Sequence, residues 1–287
     1  MPQPPGQAPT VAQLLVQARA AGVDRLDAQR LLGQALRRSR AWLIAHDDQP
    51  VQPTQAEAFA AQLTQRAQGV PLAYLLGERE FHGLMLKVTP DVLVPRPDTE
   101  VLVDWALERL PGLGSEGAAP SVADLGTGSG AIALALKHAC PAAHLCAVDR
   151  NAAALAVARH NGERLQLPVQ WLQGDWYEPL SGQHLDLIVS NPPYISAQDP
   201  HLSALHAEPL EALTPGGDGL SALRILCHDG PRHLKPGGWL LLEHGFDQAA
   251  AVRALLEAAG FQEVQTRRDL AGHERCSGGR WGNVPGS

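Results

Sequence analysis

A tetrapeptide with the chemistry to hold an amino group follows an apolar run in the second half of the chain. The run is Leu185–Ser190 and the tetrapeptide is Asn191-Pro192-Pro193-Tyr194. The two prolines fix their φ angles and have no N–H, so nearby carbonyl groups stay free to accept hydrogen bonds from a ligand. The Asn191 side-chain oxygen and the Pro192 carbonyl, beside the Tyr194 ring, would suit a planar –NH2 group of a carboxamide or a base. An ordinary β-turn is the alternative, because asparagine and proline dominate turns.

A glycine-rich loop lies upstream, between a predicted strand and a helical run. Its residues are Gly126, Thr127, Gly128, Ser129 and Gly130. Glycines let the backbone approach a ligand closely, and the N–H groups of a first helical turn point at polar ligand atoms. The G-x-G-x-G spacing lacks the third glycine position of the dinucleotide-binding fingerprint. The loop therefore predicts a cradle of the nucleotide-binding type, with a plain strand–helix turn as the alternative.

Acidic side chains follow the next two predicted strands. Asp149 lies about 20 residues beyond the loop, where an acidic residue binds ribose hydroxyls. It also precedes the helical stretch 152–161, so capping of that helix is the alternative function. Asp175 and Trp176 follow the run 169–173 and would supply a carboxylate and an indole beside an adenine ring. Core filling by Trp176 is equally compatible with the sequence.

These candidates depend on an alternation of strands and helices that begins at Arg96. The alternation predicts a mostly parallel sheet covered by helices on both faces. The predicted strands are 121–125, 144–148, 168–172, 185–190, 237–243, 261–267 and 274–282, and the predicted helices are 98–110, 130–139, 151–164, 219–234 and 247–259. All four candidate sites follow carboxyl ends of strands, the edge at which open α/β sheets bind ligands. We therefore expect them to meet in one cavity.

The chain before Arg96 has a different pattern. Residues 1–9 are rich in proline, glutamine and glycine and are predicted to be a disordered tail. Apolar residues at helical spacing predict a small helical domain over 10–72, with Thr54 capping one of its helices, and we expect this domain to recognise the substrate. Residues 73–95 are predicted to be a linker that contains a short hairpin. The fourth predicted segment, 96–287, holds the α/β domain.

Charge, cysteine content and hydropathy disfavour several classes of protein. A net charge of −7 and a pI near 5.9 disfavour a dedicated duplex-DNA binder. Four cysteines without metal-ligand spacing predict reduced thiols of a cytoplasmic protein. We expect no metal site. The neighbours Glu243 and His244 are the one pair that would suit a metal or acid–base function, and we assign His244 a packing role at the end of a strand instead. The first residues do not have the pattern of a signal peptide, and no apolar run approaches the roughly 20 residues of a membrane span.

Residues beyond these sites carry a resemblance to a known family. The runs are Tyr74–Leu84, Val94-Pro95-Arg96-Pro97-Asp98-Thr99-Glu100, Asp199–Leu202, Glu208–Leu213, Leu241-Leu242-Glu243-His244-Gly245 and the Asn-Pro-Pro-Tyr-Ile run. Over roughly residues 70–282 the chain resembles the peptide-chain release factor glutamine methyltransferases, which are class I, Rossmann-like enzymes with a seven-stranded sheet. It departs from them at Leu205-His206-Ala207, where an arginine-aromatic step is usual. This departure affects the loop beyond the site rather than the chemistry.

The resemblance implies methyl transfer from S-adenosylmethionine, with S-adenosylhomocysteine as product. The acceptor would be the glutamine side-chain nitrogen (N5) in the Gly-Gly-Gln motif of class I release factors. It implies that the glycine loop holds the methionine end of the cofactor, Asp149 the ribose and Trp176 the adenine. Asn191 and Pro192 would receive the substrate amide, with Pro193 and Tyr194 completing the pocket. Three alternatives are a nucleic-acid adenine-N6 methyltransferase, a ribosomal-protein glutamine methyltransferase and a non-catalytic cofactor-binding protein.

Overall fold

The computed structural model describes residues 8–113 and 118–282 of the chain. The described residues form two compact units, one ending at Gly77 and the other beginning at Glu78. Most of the predicted disordered tail, residues 1–7, lies outside the described residues.

The first unit is helical. Its helices are α1 (Val11–Ala20), α2 (Arg25–Leu36), α3 (Arg40–Ala45), α4 (Pro53–Ala67) and α5 (Leu72–Leu76). Side-chain caps begin three of them: Thr10 for α1, Asp24 for α2 and Ser39 for α3. The predicted Thr54 cap is wrong, because α4 begins at Pro53, whose fixed φ angle suits the first helical position.

A small apolar core holds these helices together. Its larger buried side chains are Leu14, Leu31, Leu32, Leu43, Phe59 and Leu63. Buried residues recur at a spacing of three or four on α1 (Val11, Leu14 and Ala18) and on α4 (Phe59 and Leu63), so each of these helices turns one apolar stripe inward.

The second unit contains a hairpin and a seven-stranded sheet. The hairpin consists of β1 (Glu78–Phe81) and β2 (Leu84–Lys87). The sheet strands are β3 (Ser121–Leu125), β4 (His144–Asp149), β5 (Gln170–Gln173), β6 (Leu185–Ser190), β7 (Leu234–Glu243), β8 (Phe261–Arg268) and β9 (Glu274–Trp281). Their order is β5-β4-β3-β6-β7-β9-β8, and β9 runs in the opposite direction to the other six strands. This confirms the predicted mostly parallel α/β fold.

Helices join the strands of this sheet. They are α6 (Glu100–Arg109), α7 (Ala131–Ala139), α8 (Ala152–Leu165), α9 (Leu210–Leu213), α10 (Ser221–Asp229) and α11 (Ala249–Ala258). The helix predicted over 219–234 is shorter than expected, since α10 ends at Asp229 and Pro231 follows within a 3-10 turn. Strand β7 then begins at Leu234, three residues earlier than predicted.

Two apolar cores cover the two faces of the sheet. One contains Trp105, Leu134, Leu136, Leu187 and Trp239, and the other contains Leu125, Val148, Ile188, Leu223 and Leu240. Every residue of β6 is buried, as expected of a central parallel strand. The sheet therefore brings the carboxyl ends of β3, β4, β5, β6 and β7 to one edge.

Candidate active site

A cavity of about 960 Å³ opens at the carboxyl edge of the sheet in the second unit. Nine of the predicted site residues line it: Gly126, Thr127, Gly128, Ser129, Asp149, Asp175, Trp176, Asn191 and Pro193. The other three, Gly130, Pro192 and Tyr194, are not among the residues that line it. The four sequence-predicted sites therefore converge on one cavity.

The glycine loop is fixed to the end of β4. The backbone N–H groups of Gly126 and Thr127 both donate to the Val148 carbonyl, at 2.9 and 3.0 Å. Gly126 has a φ of +73°, and a Cβ there would lie 3.4 Å from the Trp176 ring, so a larger residue would crowd the indole. Gly130 has a φ of +83°, and a Cβ there would lie 3.1 Å from the Leu134 and Trp171 side chains, so a larger residue would be strained and crowded.

Asn161 couples the loop to the hairpin. Its side-chain nitrogen donates to the carbonyls of Ser129 and Lys87, at 2.9 and 3.0 Å, and its oxygen accepts from the Lys87 N–H at 2.7 Å. Asn161 is fully buried on α8. Sequence reasoning treated it only as part of a helix, because no local signal reports a contact over such a separation.

Asp124 lies two residues before the loop, and its buried side chain holds the loop by hydrogen bonds. Its Oδ2 accepts from the Thr127 hydroxyl at 2.6 Å and from the Ala133 N–H at 3.2 Å. Its Oδ1 has no hydrogen-bond partner among the described residues. The pKa of Asp124 is raised to about 7, mainly by burial and to a smaller extent by the nearby Asp149, while the hydrogen bonds from Thr127 and Ala133 lower it. A cationic ligand in the cavity would relieve this repulsion between two carboxyl groups.

Asp149 faces the cavity from the end of β4. Its two oxygens accept from the backbone N–H groups of Gly128 and Asn151, each at 2.9 Å. The N-cap of α8 is Asn151, whose side chain accepts from Ala153 and Ala154. Burial raises the pKa of Asp149, and the two backbone N–H groups partly offset that effect. Each carboxylate oxygen keeps a lone pair for a ligand hydroxyl.

Trp176 and Asp175 follow β5 and have different environments. Trp176 has a φ of +46°, in the left-handed region, which turns its ring over Gly126. The indole packs against the apolar core and also lines the cavity, and its contact with an adenine ring stays a prediction. Asp175 is exposed at the rim.

The tetrapeptide is held from both ends. The Asn191 Nδ2 donates to the Thr99 hydroxyl at 3.1 Å, which leaves Oδ1 as the branch of the amide that can accept from a ligand. The Tyr194 hydroxyl donates to Glu243 Oε1 at 3.2 Å, and the Tyr194 carbonyl accepts from Gln248 at 2.9 Å. These contacts fix the conformation of the tetrapeptide at both of its ends.

The sequence analysis did not assign a role to Thr99 or Glu243, which both contact residues of the tetrapeptide. Both lie in runs that carried the family resemblance, but no local pattern assigned either a contact. Glu243 is fully buried at the end of β7, and burial raises its pKa to about 7, while the nearby hydroxyl groups of Thr99 and Tyr194 partly offset the effect.

An ion pair braces the outer wall of the cavity. The buried Glu208 carboxylate accepts from the Arg96 guanidinium and, at 3.1 Å, from the Val94 N–H. Glu211 on α9 accepts from the Asn151 side chain at 2.8 Å. The pair is present although the chain departs from the family pattern just before Glu208.

His244 has the packing role assigned from the sequence. It is fully buried, and its two ring nitrogens contact the Gly245 carbonyl and the Ser277 hydroxyl, each at 2.8 Å. Burial lowers its pKa, so the imidazole is neutral. Within the described part of the chain, no three His, Cys, Asp or Glu side chains are grouped so as to hold a metal ion. Among the same residues, no helix is both long and apolar enough to cross a bilayer.

This geometry fits two ligands side by side: a positively charged nucleoside and a group that carries an –NH2. Asp149 suits the hydroxyl groups of a ribose-containing molecule, Trp176 offers an aromatic wall, and the carboxyl groups of Asp124 and Asp149 favour positive charge. Asn191 Oδ1 suits an amide or amino group at the other end of the cavity.

Two family models match the chain. One, described as PrmC N-terminal domain, covers residues 10–77 and ends at the residue where the first unit ends. The other, described as methyltransferase small domain, covers residues 107–224.

Curated relatives match nearly the whole chain. A protein of Bordetella pertussis named release factor glutamine methyltransferase is 54% identical over 261 residues, which are 90% of this chain and 95% of the relative. A protein with the same name from Xylella fastidiosa is 49% identical over 93% of this chain and 96% of the relative. Among solved structures, a methyltransferase from Pyrococcus furiosus gives a TM-score of 0.52 over 70% of this chain and 90% of that chain, at 19% identity. That structural match shows the shared fold.

Proposed function

This chain belongs to the release factor glutamine methyltransferase family, S-adenosylmethionine-dependent protein methyltransferases, and we propose the roles of its residues in that reaction. The acceptor we propose is the N5 amide nitrogen of the glutamine in the Gly-Gly-Gln motif of class I release factors, and the coproduct is S-adenosylhomocysteine. Relatives at 54% and 49% identity that carry this family name support the assignment.

The observation that carries the proposal is the orientation of the Asn191 amide. Its Nδ2 is bound to Thr99, so its Oδ1 is available in the wall of the cavity that also contains the glycine loop. An acceptor at that position binds the –NH2 group of a glutamine side chain, and the Pro192 carbonyl is the second acceptor that we propose.

The residues that would bind S-adenosylmethionine line the part of the cavity away from Asn191. Asp149 would accept from the ribose hydroxyls, and Trp176 would lie against the adenine. The residues Gly126–Gly130 would hold the methionine end, near the buried carboxyl of Asp124. When bound, S-adenosylmethionine supplies a methyl group already activated by its sulfonium.

The protein's main task is then alignment. A glutamine amide nitrogen is a poor nucleophile because its lone pair is delocalised into the carbonyl group. Fixing the two reacting groups in line contributes about 7–11 kcal/mol in favourable systems. Asn191 Oδ1 and the Pro192 carbonyl would hold the nitrogen in place and stabilise the positive charge that develops on it. No strong base is required at the nitrogen, since the methylated amide loses its proton readily.

A transfer assay with competing acceptors tests the proposal. The protein is incubated with methyl-labelled S-adenosylmethionine and one of three acceptors: an intact class I release factor, a ribosomal-protein fraction, or adenine-containing nucleic acid. We expect label in the release factor and loss of label when its Gly-Gly-Gln glutamine is replaced by alanine. Label in adenine would overturn the substrate assignment, because the same acceptor pair can also bind the amine of a flipped base. A net charge of −7 argues against that outcome.

A further inference from the structure

The carboxyl end of the tetrapeptide is held by two other segments of the second unit. The Tyr194 carbonyl oxygen accepts from Gln248 Nε2 at 2.9 Å, and the Ile195 backbone N–H donates to the Leu213 carbonyl at 3.0 Å. The peptide group between Tyr194 and Ile195 is therefore bonded on both of its sides. Leu213 ends α9 and Gln248 directly precedes α11, so these contacts join the tetrapeptide to two helices.

The Gln248 side chain has one orientation in this contact. Its Oε1 accepts from the Gly245 backbone N–H at 2.9 Å, so its Nε2 is the part of the amide that faces Tyr194. A carbonyl oxygen can only accept, so Tyr194 requires a donor at this place. Gln248 is half-buried and is not among the residues that line the cavity. It therefore supports the tetrapeptide without lining the cavity itself.

Gly219 lies against the same hydrogen bond and leaves no room for a side chain. Its φ is +81°, in the left-handed region. A Cβ at this position would lie 2.3 Å from the Tyr194 oxygen and 3.0 Å from Gln248 Nε2, so it would meet both atoms of the bond. Carbon–oxygen contacts normally measure about 3.3–3.6 Å, so the oxygen would have to move by roughly 1 Å. The hydrogen bond between Gln248 and Tyr194 therefore requires glycine at 219.

The two prolines between Asn191 and Tyr194 make the tetrapeptide stiff. Their rings fix two φ angles, so a shift of Tyr194 passes on to the Pro192 carbonyl and to Asn191. These are the two acceptors that we propose for the substrate –NH2 group. A misplacement of about 1 Å caused from outside the reacting groups can lower a rate about 10²-fold. The position of the Tyr194 carbonyl therefore bears directly on the alignment of the substrate nitrogen.

We propose that Gly219 and Gln248 are positioning residues for methyl transfer. Gly219 leaves the space and Gln248 supplies the donor that together hold the Tyr194 carbonyl, and through it Pro192 and Asn191, in the productive position. This role rests on the proposed function, in which an –NH2 group is the methyl acceptor. Neither residue touches the reacting atoms.

Kinetics of Gly219→Ala with intact release factor test the role of the space. We expect kcat to fall about tenfold to a hundredfold because the acceptors for the nitrogen are displaced. KM for release factor should change little, since one glutamine side chain contributes little to the affinity of a whole protein. Cofactor affinity, measured by calorimetry, should be unchanged, because the cofactor binds the other part of the cavity.

Gly182→Ala is the matched control for backbone strain. Gly182 also has a positive φ, +75°, but a Cβ there would meet nothing within 4 Å. It precedes β6, whereas the tetrapeptide follows that strand, so the two lie at opposite ends of β6. The melting temperature should fall in both variants, but kcat should fall only in Gly219→Ala. An equal loss of kcat in the two variants would refute the role of Gly219.

Gln248→Glu tests the role of the donor. The charged carboxylate can accept from Gly245 but has no hydrogen for Tyr194, whereas the protonated carboxyl group can do both. The Tyr194 carbonyl and the Asp247 carboxylate, which lies beside Gln248 at Gly245, both disfavour the charged form. At alkaline pH we expect kcat to be about tenfold below that of the wild type. As pH falls, the ratio of the two kcat values should rise toward one.

Gln183→Glu is the control for the added charge. Gln183 is exposed in the turn before β6, away from the tetrapeptide, so the ratio of its kcat to that of the wild type should stay near one at every pH. A ratio for Gln248→Glu that does not change with pH would refute the donor role. This test decides the proposal by itself if Gly219→Ala does not fold.

The NMR resonances of the Asn191 side-chain –NH2 group separate this role from the proposed function. They should shift in Gly219→Ala and stay in place in Gly182→Ala. If the wild type methylates release factor and Gly219→Ala and Gln248→Glu keep its kcat, the positioning role is refuted and the proposed function stands. If the wild type methylates no release factor, the proposed function fails and the resonances decide: shifted resonances in Gly219→Ala support the displacement of Asn191, and unmoved ones refute it.

Discussion

The backbone N–H of Gly128 donates a hydrogen bond to Asp149 Oδ2 at 2.9 Å, joining the glycine loop after β3 to the carboxylate at the end of β4. The loop and the acidic residue are 21 positions apart in sequence but form one piece of the cavity wall. A ligand that binds both therefore meets a site whose two parts are already fixed to each other.

Asp149→Ala should weaken binding of S-adenosylmethionine about tenfold to a hundredfold, since a hydrogen bond to a charged group contributes about 1.5–3 kcal/mol. Titration calorimetry measures the loss. Asp149→Asn, which keeps an acceptor for Gly128, should lose less affinity than the alanine variant. Unaltered affinity in both variants, with a lowered melting temperature alone, would mean that Asp149 only supports the loop.

Asn191→Ala should abolish measurable methyl transfer and leave cofactor affinity nearly unchanged. The only side chain of the tetrapeptide with an amide oxygen is then missing, and one such preorganised contact typically contributes about 10²–10³ in rate. Single-turnover kinetics with saturating cofactor measure this loss. Near-normal turnover would rule out Asn191 as the acceptor of the substrate –NH2 group.

The affinity for S-adenosylmethionine should rise with pH through about 7. The folded-state pKa of Asp124 is raised from 3.8 to about 7, and a positively charged ligand favours the carboxylate, so binding should release a proton. By the same linkage, the contribution of Asp124 to the stability of the ligand-free protein is present below pH 3.8 and is lost as pH rises through about 7. Calorimetry at several pH values and in buffers of different ionisation enthalpy measures both effects. An Asp124→Asn variant with the same pH dependence would assign it to another group.

Glu208→Ala should destabilise the outer wall of the cavity by about 1–3 kcal/mol, the cost of leaving buried polar groups unsatisfied. Val94 and Arg96 would both lose their acceptor. Urea denaturation gives the stability, and hydrogen exchange of the Val94 and Arg96 backbone N–H groups gives the local effect. Glu211→Ala is the comparison, because its exposed pair with Arg150 should contribute less than about 1 kcal/mol. Equal losses of stability in the two variants would show that the buried Arg96–Glu208 pair contributes no more than an exposed ion pair.

The sequence predicts those parts of the site that local patterns determine. Strand–loop–helix composition locates Gly126–Gly130, and the end of β4 locates Asp149. Alternating apolar runs predict the sheet, because each buried strand is continuous in sequence. Helix boundaries depend on single residues, so the end of α10 and the start of α4 differ from expectation.

The contacts that orient these side chains could not be predicted in the same way. Thr99 and Asn191 are separated by 92 positions, and Lys87 and Asn161 by 74. Such pairs meet only because the sheet order β5-β4-β3-β6-β7 brings distant loops to one edge. A threonine before a helix carries no sign that it will hold an asparagine amide.

A chain beginning at Glu78 should bind S-adenosylmethionine but lose most of its affinity for an intact release factor. One glutamine side chain offers little surface for choosing a protein partner, so we propose that the helical first unit supplies further contacts. Circular dichroism and cofactor calorimetry control for folding, and kcat/KM with intact release factor is the measurement. An unchanged kcat/KM in a folded truncation would exclude the first unit from substrate recognition.

The most direct measurement of the central claim is the location of the transferred methyl group. Intact release factor is incubated with the protein and trideuteromethyl-labelled cofactor, then digested and sequenced by tandem mass spectrometry, with Asn191→Ala in parallel. The account predicts one label on the side-chain amide of the Gly-Gly-Gln glutamine with the wild type and none with the variant. Label at another residue, or equal labelling by the Asn191→Ala variant, would contradict it.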